Sequence, residues 1–156
     1  MRVTILSVGH RMPGWIQSGY GEYVKRLPPE IRVELVEIRP EDRTSGKTVE
    51  KAKALEAERL LAAVPAGATV IALDEKGRSV STAGLSVMLA GWMRDATHPA
   101  FVIGGADGLA DAVRERADKL LSLSALTLPH GLVRVVLAEQ FYRAWSILAG
   151  HPYHRE

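Results

Sequence analysis

Cysteine is absent from all 156 residues, which excludes disulfides, thiolate nucleophiles and thiolate metal ligands and suits a reducing cytoplasm. No apolar run approaches the ~20 residues of a membrane-spanning helix. The stretch at residues 3–8 is too short for a signal-peptide core. A soluble, cytoplasmic protein is therefore expected, with no membrane partner. Phosphate-binding glycine signatures are missing too. Gly9 stands alone after the first strand pattern, and neither G-x-G-x-x-G nor G-x-x-x-x-G-K-[ST] occurs, which disfavours a Rossmann dinucleotide site and a P-loop. No serine sits in a G-x-S-x-G elbow. Charge of one sign is scarce: 20 basic against 18 acidic residues leave +2, and a pI of about 9.0 permits nucleic acid as a partner without demanding it. Five histidines are present, and His151 and His154 lie close together. No carboxylate or third histidine stands at ligand spacing, so no metal is expected.

What is present is ordinary globular material, 47% hydrophobic and 24% charged, enough for one domain over residues 1–156. β-branched apolar runs predict strands at residues 2–9, 32–38, 69–74, 100–103 and 119–123. Between them fall helical patterns. The first starts near Pro13 with the stripe Trp15, Ile16, Tyr20, Tyr23, Val24 and Leu27. The second covers residues 48–64 with Ala52, Leu55, Leu60 and Leu61 on its apolar side. A third, capped by Ser81 or Thr82, passes through Leu85, Met88, Leu89 and Trp92. Residues 109–116 and 132–149 complete the set. Residues 75–78 read as a turn, and the charged loop at residues 41–47 as the most mobile segment. This alternation predicts an α/β fold with a mainly parallel sheet covered on both faces.

Three loops follow the carboxyl ends of late strands, beginning at Leu73-Asp74, Gly104-Gly105 and Leu123-Ser124. Ligands of open α/β sheets bind outside those ends, so the three are expected to border one pocket. Gly104, Gly105 and Gly108 allow close backbone approach, although the trio by itself reads as a tight turn. The loop of Leu123, Ser124, Ala125, Leu126, Thr127 and Leu128 is halted by Pro129 and leaves backbone groups in need of partners. His130 reads equally as a ligand contact or a loop residue. The last helix is apolar except at Arg134, Glu139, Gln140, Arg143 and Ser146, a pattern that suggests contact with a second subunit. Arg143 stands four residues after Glu139, a favourable ion-pair order, yet its apolar helix also suggests a waiting partner. The chain closes on His151, Tyr153, His154 and Arg155, a dense set of polar groups able to reach a ligand. His10, Arg11 and Lys47 offer positive charge for phosphates, with solvated surface the default for each.

Several stretches together resemble one family. They are residues 73–77 (Leu-Asp-Glu-Lys-Gly), residues 103–109 (Ile-Gly-Gly-Ala-Asp-Gly-Leu), residues 121–130 ending in Pro129-His130, residues 139–145, and the closing His151-Pro152-Tyr153-His154. The resemblance, over the whole chain, is to the RlmH (YbeA-like) branch of the SPOUT methyltransferases. It implies a SPOUT-type α/β fold with a C-terminal trefoil knot, an obligate homodimer and S-adenosylmethionine as cofactor. It also implies methylation of N3 of a pseudouridine in 23S ribosomal RNA of the assembled ribosome. The family's cofactor positions fall on Leu73, Gly104, Gly105, Leu123, Ser124, Ala125, Leu126, Thr127 and Leu128. Its substrate-side, catalytic positions fall on His130, Arg143, Tyr153, His154 and Arg155, with the general base unassigned. The family often carries Gly-Lys in the first loop, where this chain has Gly9-His10-Arg11. A catalytically silent ribosome- or RNA-binding protein of the same fold is the alternative.

Overall fold

A computed structural model describes residues 1–44 and 46–155; Ser45 of the charged loop and Glu156 of the tail lie outside the described residues. Strands β1 (Arg2–Val8), β2 (Arg32–Ile38), β3 (Thr69–Ser79), β4 (Pro99–Ile103) and β5 (Lys119–Ser122) alternate with helices. The helices are α1 (Gly14–Val24), α2 (Val49–Ala62), α3 (Thr82–Arg94), α4 (Asp111–Arg116) and α5 (His130–Ala149). Every strand pairing is parallel, in the order β2-β1-β4-β3-β5. All carboxyl ends therefore emerge on one edge, which is why loops distant in sequence meet there.

Both faces of the central strands are covered, so β1 is buried from Val3 onward and β4 throughout. Alternation sends Ile5, Ile71 and Phe101 to one face, where Leu85, Leu89 and Trp92 of α3 and Leu137 and Phe141 of α5 pack. Leu6, Ala72 and Val102 point the other way, onto Ala57 and Leu60 of α2 and Val113 of α4. Phe101 meets Trp92 and Phe141 edge-on, at centroid distances of 5.9 and 5.2 Å, contacts worth roughly 0.5–1.5 kcal/mol each beyond area burial.

Several local expectations change. β3 does not stop at Asp74. It runs to Ser79 because Arg78 and Ser79 re-pair with Leu121 and Ser122 after a register shift, so the expected turn at residues 75–78 is a bulge inside the strand. β5 ends one residue early, at Ser122, and α4 begins at Asp111. α5 starts at His130, which places Pro129 at the cap and His130 in the first helical turn rather than in a loop. On α1, Ile16 is buried while Trp15 is 62% exposed, so the expected stripe is narrower. On α2, Leu55 and Leu61 are only half-buried, and the buried side includes the carboxylate of Glu56. The cap on α3 is Ser81, whose hydroxyl accepts the Gly84 N–H at 3.0 Å.

α5 ends at Gly150, where φ is +68°. His151 N–H reaches back to the Ser146 carbonyl at 2.9 Å and Gly150 N–H to that of Ile147 at 3.4 Å. This is a Schellman closure, readily formed by a glycine. It reverses the chain, so that Tyr153 and His154 lie back along α5.

Candidate active site

The bulge of β3 and the carboxyl ends of β4 and β5 open into a cleft of about 810 Å³. Leu73, Gly104, Gly105, Leu123, Ser124, Leu126, Thr127, Leu128 and His130 line it, so the three segments do border one pocket, the first as a bulge of β3 and not as a loop. Ala125 belongs to the same loop but is outside the lining. Serines shape this loop: Ser122 Oγ donates to the Ser124 carbonyl at 3.0 Å, and Ser124 Oγ accepts the Leu126 N–H at 2.9 Å. The N–H groups of Ala125, Thr127 and Leu128 have no partner among the described residues. Opposite them the β4 loop folds tightly, with Gly108 N–H donating to the Gly105 carbonyl at 3.1 Å. A Cβ on Gly104 would stand 2.6 Å from the Gly108 carbonyl carbon, so only glycine fits.

The cleft's fixed charges are largely spent. Asp74 Oδ2 accepts Arg114 Nε at 2.6 Å and its Oδ1 accepts the Lys76 N–H at 2.8 Å. Burial works against the Asp74 carboxylate, but Lys76 and Arg114 outweigh it and hold the group below its ordinary range. Sequence reasoning marked the acid at the strand end and missed Arg114, which is forty residues away and carries no local signal. His130 faces Gly9, where an added Cβ would lie 3.1 Å from its Nε2. Burial, then the nearby Arg134 charge, push the imidazole down, so it is neutral at pH 7.

Arg134, expected only as an interruption of α5, is 2% exposed. Its Nη1 donates to Glu37 at 2.9 Å and its Nη2 to Ser7 Oγ at 3.1 Å, tying α5 to β1 and β2.

The four remaining candidates lie elsewhere. Arg143 Nε donates to Glu139 Oε1 at 2.8 Å, the Tyr153 hydroxyl donates to the same oxygen at 3.0 Å, and the guanidinium rides 5.0 Å above the Tyr153 ring. Tyr153 also packs on Tyr142, at 4.5 Å between centroids. Burial and the Glu139 carboxylate push the Tyr153 phenol up to about 12. His154 Nδ1 sits 3.1 Å from Ser146 Oγ, and Arg155 is exposed. Arg143 lies thirteen positions after His130 on α5, roughly 20 Å along the helix. One chain thus brings the cleft residues together and the tail residues together, but does not join the two groups.

The family described as "Predicted SPOUT methyltransferase" matches residues 1–154. Ribosomal RNA large subunit methyltransferase H of Burkholderia vietnamiensis (strain G4 / LMG 22486) is 57% identical over 155 residues, 99% of each chain. The protein of that name from Burkholderia multivorans (strain ATCC 17616 / 249) matches equally well. This chain belongs to the RlmH family of SPOUT methyltransferases. The SPOUT fold is also seen at much lower identity. A crystal structure of a probable methyltransferase from Bordetella pertussis Tohama I aligns with TM-score 0.57 at 17% identity, covering 92% of this chain and 94% of that one. A probable methylase family protein from Haemophilus influenzae Rd KW20 gives 0.54 at 12%, over 99% and 70% of the two chains. Among the described residues of this RlmH chain, no cluster of three His, Asp or Glu could hold a metal ion, and no helix is long and apolar enough to cross a membrane.

Proposed function

We propose that this chain transfers a methyl group from S-adenosylmethionine to N3 of a pseudouridine in 23S ribosomal RNA of the assembled ribosome, acting as a cytoplasmic homodimer. One observation carries the reading: in a methyltransferase chain, the β3 bulge and the loops after β4 and β5 converge on a single cleft. The cleft suits the donor chemically. Leu73, Leu123, Leu126 and Leu128 supply apolar walls for an adenine, and the open N–H groups of Thr127 and Leu128 suit its polar edges. S-adenosylmethionine, when bound, supplies an electrophilic methyl group on a sulfonium.

The chain's own work is then to hold the ring nitrogen in line and to manage its proton. Holding supplies roughly 7–11 kcal/mol of the barrier reduction. Ser146 Oγ donates to the Arg143 carbonyl at 2.7 Å, so towards His154 it can only accept. The neutral His154 ring therefore carries its proton on Nδ1 and presents a bare Nε2, the form needed to take the N3 proton. Arg155, with Arg143, places positive charge where the oxygens of the resulting imide anion need it. Tyr153, protonated throughout, orients Arg143 through the Glu139 oxygen they share.

Distance supports a second copy. Methyl transfer needs contact, whereas roughly 20 Å of helix lies between His130 and Arg143. The tail of one protomer would complete the cleft of its partner, and the exposed Trp15 of α1 and Leu148 of α5 suit such a face. Incubating undermethylated ribosomes with protein and donor tests the function. Mass spectrometry of 23S RNA fragments should show one added methyl on a pseudouridine. Ribosome binding without methyl transfer would instead identify a catalytically silent binding protein.

A further inference from the structure

A charge cluster that the proposed chemistry leaves unused grips the 104–108 turn, with Asp107 on the cleft lining and Arg43 and Glu56 behind it. Arg43, in the loop between β2 and α2, donates Nε and Nη2 to Asp107 Oδ2 at 3.1 and 3.0 Å. The same guanidinium donates to both oxygens of Glu56, with Nη2 at 3.1 Å from Oε1, and its Nη1 reaches the Glu41 carbonyl at 2.8 Å. Glu56 is 3% exposed on α2, and its Oε2 also accepts the Glu41 N–H at 2.9 Å. A Cβ on Gly105 would lie 3.6 Å from Glu56 Oε1 and 2.9 Å from Val8 Cγ1, so the carboxylate backs directly onto the turn. Glu41 is in turn paired with Lys47 and Arg59. Glu56 foremost, with Asp107, holds Arg43 charged well above its ordinary range.

The order of dependence follows from burial. A carboxylate as buried as Glu56 must keep its countercharge, so Glu56 fixes Arg43 to the rigid helix α2. The free side of the fork then holds Asp107, the most adjustable partner in the set. Besides that grip and the packing of Gly105, the turn is closed by the backbone contact between Gly105 and Gly108. A lysine could serve only one side, because the planar fork is what bonds two carboxylates at once.

We propose that Arg43 is a positioning residue for the methyl-donor site: it holds the 104–108 backbone, through Asp107, in the shape that receives the donor. Arg43 itself touches neither donor nor RNA. The inference rests on the cleft being the donor site.

The test uses the full-length chain and two readouts. Asp107→Ala cuts the strap at the turn and leaves the Arg43–Glu56 pair intact, which avoids the misfolding that an unpaired Glu56 invites. Without donor, hydrogen exchange at the Gly108 amide should rise about tenfold, the loss expected for a charge-assisted contact. In ribosome methylation with S-adenosylmethionine, the KM for donor should rise by a similar factor, about tenfold, while kcat and the KM for ribosomes stay within about twofold. Arg43→Lys should move the same quantities in the same direction, and Arg43→Lys/Asp107→Ala should be no worse than Asp107→Ala alone. An unchanged Gly108 amide or donor KM, beside a wild type that saturates with donor, overturns this inference and spares the cleft. A rise in ribosome KM instead would place the strap on the RNA side and also overturn it. Failure of the wild type to saturate with donor sinks both.

Discussion

His154 Nδ1 and Ser146 Oγ lie 3.1 Å apart, and that hydroxyl already donates to the Arg143 carbonyl at 2.7 Å. The pair ties a tail residue to α5 and sets which ring nitrogen is bare. His154→Ala is expected to lower the methylation rate by about 10²–10⁴-fold, the usual worth of a general base, with donor affinity near normal. Ser146→Ala keeps the ring but frees its tautomer, and should cost less, about tenfold in kcat. Single-turnover rates and calorimetric titration with S-adenosylmethionine separate the two effects. Loss of donor binding in His154→Ala would move His154 out of the catalytic role.

Gly104 is the reverse case. Its missing Cβ is space the Gly108 carbonyl occupies, at 2.6 Å from where that atom would be. Gly104→Ala should push the turn into the cleft and weaken donor binding by at least about tenfold, with methylation falling in step. Calorimetry on the variant, with its far-ultraviolet circular dichroism unchanged, checks this.

Acidification should act through His130. Burial first, and the Arg134 charge second, hold its folded pKa below 6.5, so the unfolded chain takes the proton more readily. The neutral ring's contribution is whole above 6.5 and is lost as pH falls from there through the folded value. The melting temperature should drop across that window, and His130→Gln should flatten the drop while leaving the carboxylate-driven loss at lower pH in place. Thermal melts from pH 7.5 to 4.5 on both proteins give the comparison.

The parts of the fold written in local chemistry were legible. β1 and β4 declare themselves by their apolar runs, the α3 cap by two adjacent hydroxyls of which Ser81 is the one used, and the cleft by the segments that begin at Leu73, Gly104 and Leu123 in a parallel sheet. What stayed hidden depends on partners distant in sequence. β3 continues past Asp74 only because β5, forty residues on, offers Leu121 and Ser122 for re-pairing. Arg134 could be buried on an apolar helix because Glu37 and Ser7 come from two strands at the chain's start. Arg43 and Glu56 look like surface charges until the glycine turn is set beside them. No window of sequence holds those pairs. Nor did any local pattern reveal that the tail lies on its own α5, far from its own cleft.

Mixed dimers test the proposed two-protomer site most directly. Gly104→Ala spoils the cleft of its own chain, and His154→Ala spoils the tail. If each cleft uses its partner's tail, a dimer of one Gly104→Ala chain and one His154→Ala chain keeps one intact site, and should recover about half the wild-type rate from two inactive parents. A differently tagged pair, co-purified and assayed on undermethylated ribosomes, should show that recovery. A mixed dimer as inactive as its parents would mean that cleft and tail belong to the same chain, and would contradict the account.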